Sequence, residues 1–169
     1  MTETGVGVQD AGLPAMLERA ERLARLRHAG QTDKGGAEYW RHPARVSAGC
    51  RSGEAKIAGW LHDLLEDTGT TADELLELGF SEAVVRAVEL DTRRDGEDYM
   101  AYIRAILAAC DAADPATRHA GRIAREVKMS DLRDNMDLTR LTVVREADRR
   151  REAKYRRAYA LLAAWPGRA

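Results

Sequence analysis

Three stretches of the 169-residue chain gather His, Asp, Glu, Lys and Asn at spacings that could bind a metal and move a proton. In AGWLHDLLEDTGTT, His62 and Asp63 are adjacent, and Glu66 and Asp67 follow each by four residues. On a helix all four project from neighbouring strips. Three carboxylates crowded beside Leu61, Leu64 and Leu65 would repel one another near a core, and a bound divalent cation would relieve the conflict. Taken alone, the same stretch also reads as a solvated acidic stripe with one stray histidine. In EVKMSDLRDNMDL, Lys128, Asp131 and Asn135 stand at i, i+3 and i+7 along one face, so Asp131 could ligate the metal while Lys128 and Asn135 hold a phosphate oxygen or sugar hydroxyl. Arg133 and Asp134 read as charged helix surface. EYWRHP adds His42. Two imidazoles and two carboxylates make a nitrogen and oxygen set suited to Mn²⁺, Fe²⁺, Co²⁺ or Zn²⁺, and with no cysteine in it a structural zinc site is disfavoured.

These residues need helices to position them. The chain is rich in Ala, Leu, Arg and Glu and has a single Phe, a composition that predicts an all-α fold, a compact single-domain helical bundle. Apolar residues recur at three- and four-residue steps from Leu13, giving a helix that ends near Gly30. GQTDKGGAEYWRH breaks the period as an ordered loop. Pro43 starts a helix with His42 at its cap, facing outward. A helix follows over about 54–67. Thr70 or Thr71 caps a short helix to Leu78, and Ser81 caps another through Leu90. Further helices are expected over 97–110, 115–136 and 143–165, seven or so in all. Residues 1–12, MTETGVGVQDAG, have no helical period and read as a flexible tail ahead of a domain over 13–169.

The formal net charge of -1 supplies no global field for nucleic acid or an anionic membrane, so neither is an expected partner. Without a signal-like start or a long apolar run, the chain is expected in the cytoplasm. Cys50 and Cys110 lie far apart and are expected to be free thiols.

The ordered set HAGQ…K-x-G…Y-x-x-HP, LHDLLEDT and VKMSDLRDNMDL, within a match spanning roughly Leu13 to Trp165, resembles the HD-domain hydrolases of the RelA/SpoT type, including their stand-alone members. The resemblance implies His42, His62, Asp63 and Asp131 as metal ligands, Mn²⁺ as the metal, Glu66 and Asp67 as the pair that orients and activates the attacking water, and Asn135 as a substrate contact. It implies removal of the 3′-pyrophosphate from a (p)ppGpp-like nucleotide through a metal-activated water. The alternatives are a 2′-phosphatase for NADPH or another nucleotide phosphatase on the same site and, from another class, a catalytically silent nucleotide-binding module. Synthetase, TGS and ACT modules find no room in this length, so hydrolysis alone is expected.

The sequence departs from the family at the rim. Asp33 stands where the family commonly has Arg, leaving Lys34; Glu38 replaces a proline, and Asp137 replaces an arginine. Compensation is expected from Arg151 and Tyr155, four apart on the last helix and similar to an Arg/Tyr pair of the stand-alone members, with Arg150 or Arg157 as further candidates. Tyr99 and Tyr102 read as pocket wall or half-buried packing.

Overall fold

A computed structural model describes residues 12–167, which form nine α-helices and one 3₁₀ turn. The expected tail lies outside these residues except for Gly12, which precedes α1 (Leu13–Arg27). The helices that follow are α2 (Arg41–Gly49), α3 (Gly53–Leu61), α4 (Leu64–Asp67), α5 (Ala72–Glu77), α6 (Glu82–Asp91), α7 (Tyr99–Cys110), α8 (Pro115–Asn135) and α9 (Glu146–Ala163). The 3₁₀ turn is Leu138–Arg140. The described residues contain no strand; the loop after α1 is pinned by one isolated bridge, Thr32 to Glu38.

The elements start where polar caps allow. Ser52, Thr71, Ser81, Asp98 and Asp114 each accept a backbone N–H three residues on, satisfying a donor that a helix start otherwise leaves unpaired. Long α8 runs through the centre, packed against α2, α3, α6, α7 and α9. Its apolar side joins Leu61, Leu64, Ile103, Ile106 and Leu162 in a fully buried core. Gly121 lets α8 approach α7 at backbone distance, since a Cβ there would lie 2.5 Å from the Ala109 carbonyl carbon.

Two boundaries differ from expectation. Pro43 lies inside the first turn of α2, so His42 is a buried first-turn residue and not an outward-facing cap. The helix expected over 54–67 is two, broken by a turn at His62 and Asp63. Cys50 and Cys110 are free and buried.

Candidate metal centre and adjoining cavities

The break after α3 sets the geometry. His62 and Asp63 leave the helical path and direct neighbouring side chains to one point, toward which α2 supplies His42 and α8 supplies Asp131. The Nε2 of His42 lies 3.5 Å from Asp63 Oδ2 and 3.2 Å from Asp131 Oδ1. The Nε2 of His62 lies 3.1 Å and 3.8 Å from the same two oxygens. One ligand atom each from His42, His62 and Asp63 falls within a 4.8 Å group.

Both rings are aimed by what holds their other nitrogen. Nδ1 of His62 donates to the Gly59 carbonyl at 2.8 Å, and Nδ1 of His42 donates to Asp134 Oδ2 at 2.6 Å. Each Nε2 is thereby turned into the cluster, the arrangement that orients metal-ligating imidazoles. His62 Nε2 is buried without a hydrogen-bond partner, although Asp63 is near. An orphaned nitrogen beside two carboxylates fits a divalent cation. With no cation among them, burial opposes charge on His42, yet Asp131, Asp134 and Asp63 outweigh it and hold its pKa up to about 10. Burial also opposes ionisation of Asp63 and Asp131, but His62, His42 and, for Asp131, Lys128 hold both below the usual carboxylate range.

Around this centre the remaining groups serve as braces or as rim. Tyr39 Oη donates to Asp63 Oδ2 at 2.7 Å. Lys128 Nζ donates to Asp131 Oδ2 at 2.8 Å, and Asn135 Nδ2 donates to Asp131 Oδ1. Both residues therefore hold Asp131, and both also face a 250 Å³ cavity. Glu66 and Asp67, on α4, line that cavity together with Arg93, Lys154 and Tyr155. Burial, then the charge of Asp63, raises the pKa of each. A carboxylate so shifted is a better proton acceptor near neutral pH than a free one. Behind Asp67, Gln31 donates to its carbonyl and pairs with buried His28, so the HAGQ residues form a supporting layer.

No protein-family model matches the chain. It is 35% identical over 147 residues to a guanosine-3′,5′-bis(diphosphate) 3′-pyrophosphohydrolase of Aquifex aeolicus (strain VF5), covering 82% of this chain and 19% of that protein. A protein of the same name from Spiroplasma citri is 39% identical over 75 residues, covering 42% of this chain and 10% of that one. The chain thus spans a fifth or less of the curated relatives it matches. Among solved structures, a metazoan ortholog of SpoT that hydrolyses ppGpp shares the fold with a TM-score of 0.68 at 21% identity, over 92% of this chain and 88% of that one. The chain is a RelA/SpoT-like HD domain.

In this HD domain a second cavity, of 340 Å³, adjoins the first, with Tyr39, His42, Asn135 and Tyr155 lining both. Lys34, Arg140 and Arg151 line it as well. Of the residues singled out from sequence, Lys34, Arg151 and Tyr155 meet here, whereas Arg150 is exposed and paired with Glu146, and Arg157 is exposed and lines neither cavity. Tyr99 and Tyr102 line the cavity beside the metal centre.

The two unusual acids of this HD domain are local caps. Asp33 Oδ1 accepts from the amides of Gly35 and Ala37, each at 2.9 Å, and Asp137 Oδ1 accepts from Thr139 at 3.0 Å. Both face Arg140, at 3.8 and 3.7 Å, so a cation does stand in this corner, supplied from the 3₁₀ turn. Sequence reasoning gave no role to Tyr39, Arg45 or Arg140 and placed Asp134 on the surface. Asp134 reads as surface but is largely buried, held by His42, by Arg45 through Nε at 2.6 Å and NH2 at 3.1 Å, and by Arg140 at 3.1 Å. Its spacing of three from Asp131 was the available signal.

Proposed function

We propose that this HD domain hydrolyses the 3′-pyrophosphate ester of a (p)ppGpp-like nucleotide, with Mn²⁺ held by His42, His62, Asp63 and Asp131, acting on a small phosphorylated substrate in the cytoplasm. The observation that carries the reading is the convergence of two imidazoles and two carboxylates on one point at the wall of a cavity whose rim bears Glu66 and Asp67. The relatives named above are known by this reaction. A divalent cation in this donor set lowers the pKa of a bound water and neutralises charge on phosphoryl oxygens.

The protein's own groups do the rest. Asp67, with Glu66 beside it, accepts the proton as the water oxygen bonds to the phosphorus attached at the ribose 3′ oxygen. The bond from that phosphorus to the 3′ oxygen breaks and the 3′ oxygen takes up a proton in return, the one Asp67 accepted or its equivalent from solvent, leaving a 3′-hydroxyl nucleotide and pyrophosphate. Lys128 and Asn135 keep Asp131 fixed, and Arg93 and Lys154 bring positive charge to the cavity wall. Lys34, Arg151 and Tyr155 offer the nucleoside side its contacts.

The test is a panel of ppGpp, ppApp, NADPH, GTP and ATP given to Mn²⁺-loaded protein, with released pyrophosphate and phosphate quantified. Pyrophosphate from the 3′-substituted nucleotides alone establishes the reading; phosphate from NADPH alone replaces it with a 2′-phosphatase. Asp67→Asn is expected to retain metal while turnover falls by about 10²-fold or more, whereas His62→Ala is expected to lose metal too. Equal metal loss in both variants would refute that division of roles.

A further inference from the structure

A third cavity lies on the far side of α8 from the metal centre. Lys128, Asp131 and Asn135 occupy one face of this helix; Arg122, Arg125, Met129 and Arg133 occupy the opposite one and line a groove of 590 Å³ closed by Tyr159 and Trp165. Arg51, just beyond α2, is the fourth arginine of the wall. One carboxylate, Glu126, lines it too, and that group is already used. Its Oε1 accepts the backbone N–H groups of Arg51 and Ser52, and its Oε2 accepts the Ser52 hydroxyl at 3.0 Å, where it fastens the start of α3. Among the described residues, no carboxylate lies within ion-pair distance of Arg51, Arg125 or Arg133. Arg125 donates from Nε to the Leu162 carbonyl at 2.9 Å. Arg133 makes long contacts to the Met129 and Gly49 carbonyls at 3.3 and 3.5 Å. The Trp165 ring is flanked by Arg125 at 4.9 Å and Arg122 at 5.8 Å, and its indole N–H is tied to Asp111.

Arg51, Arg125 and Arg133, like charges held round one concavity, repel, and their forked donors match phosphate oxygens two at a time. We propose that this groove is a second binding site, separate from the metal centre, for a small anion carrying two adjacent phosphates. Its volume is ample for a nucleoside diphosphate, and Trp165 would give the nucleoside a ring to rest against. Free pyrophosphate shares the phosphate chemistry and lacks the ring.

The test titrates the full chain, in EDTA, with pyrophosphate and in parallel with ADP, following tryptophan emission and heat. Trp165→Phe assigns the emission change to the groove. A saturable change in Trp165 emission is expected, weakened at least about tenfold in Arg125→Gln/Arg133→Gln and unaltered in Arg150→Gln, an exposed arginine that lines none of these cavities. Arg51 is exposed and its side chain has no hydrogen bond among the described residues, so Arg51→Gln leaves the packing alone and should weaken binding in the same direction. Tighter ADP than pyrophosphate identifies a nucleotide as the ligand; equal affinity identifies the phosphates alone. The proposal is overturned if the wild-type protein shows no saturable Trp165 response, or if the arginine variants bind as it does.

Discussion

Asp134 is the residue on which His42 depends. Burial works against its ionisation, but His42, Arg45 and Arg140 prevail and hold its pKa down to about 2. It remains a carboxylate throughout the physiological range, and the His42 ring keeps its proton on Nδ1. Asp134→Asn should therefore retain the fold while weakening metal affinity by about 10–100-fold, read by competition with a chromogenic chelator; unchanged affinity would make the contact merely structural. Little of this was legible in the sequence. The histidines and the HD pair announce themselves by residue type, but a partner 92 positions from His42 does not. Lys128 and Asn135 were recognisable as a face, and what that face grips first is Asp131.

Among the elements, caps were readable and the decisive break was not. Thr71 and Ser81 accept the amides expected of them, since their hydroxyls precede apolar periodicity. The stop at Leu61 carries no Gly or Pro signal; it follows from the contacts of His62 and Asp63 with distant chain. Helix packing makes its own predictions. At Gly121 a methyl would meet α7 backbone, so Gly121→Ala should cost about 1–3 kcal/mol, measured by denaturant unfolding. Asp91, at the end of α6, is buried with Oδ2 unpartnered, while Tyr102 donates to its carbonyl. Burial raises its pKa to about 7, against the pull of Lys128 and His62, with Asp131 and Asp63 adding to the rise. Its folded pKa exceeds the unfolded one, so the protonated form favours folding; that contribution is whole below about pH 4 and is lost as pH rises to about 7. Asp91→Asn should accordingly stabilise the protein at pH 8 by an amount of order 2–4 kcal/mol, with a much smaller effect at pH 4.5. A gain equal at both pH values would sink the explanation.

At the scale of the whole molecule, the all-helical reading was secure because composition and three- and four-residue periodicity agree throughout. No helix among the described residues is long and apolar enough to cross a membrane. A cation held, as proposed, between α2, the α3–α4 turn and α8 would bind the native state and have no equivalent site in the unfolded chain. Mn²⁺ at a hundred times its dissociation constant should add about 2.7 kcal/mol, raising Tm by about 5–10 °C, and His62→Ala should abolish the increase. A metal site elsewhere on the chain would leave that increase in place.

The bond between His42 and Asp134 has a consequence for how the protein acquires its site. Helices can begin to form from their own caps and short-range bonds, but this bond closes a loop of 92 residues and waits for α8 to dock on α2. During refolding, helical circular dichroism should return before metal uptake does. On the proposed ligand set, the nascent chain cannot complete its cation site until α8 has been made and has folded back on α2.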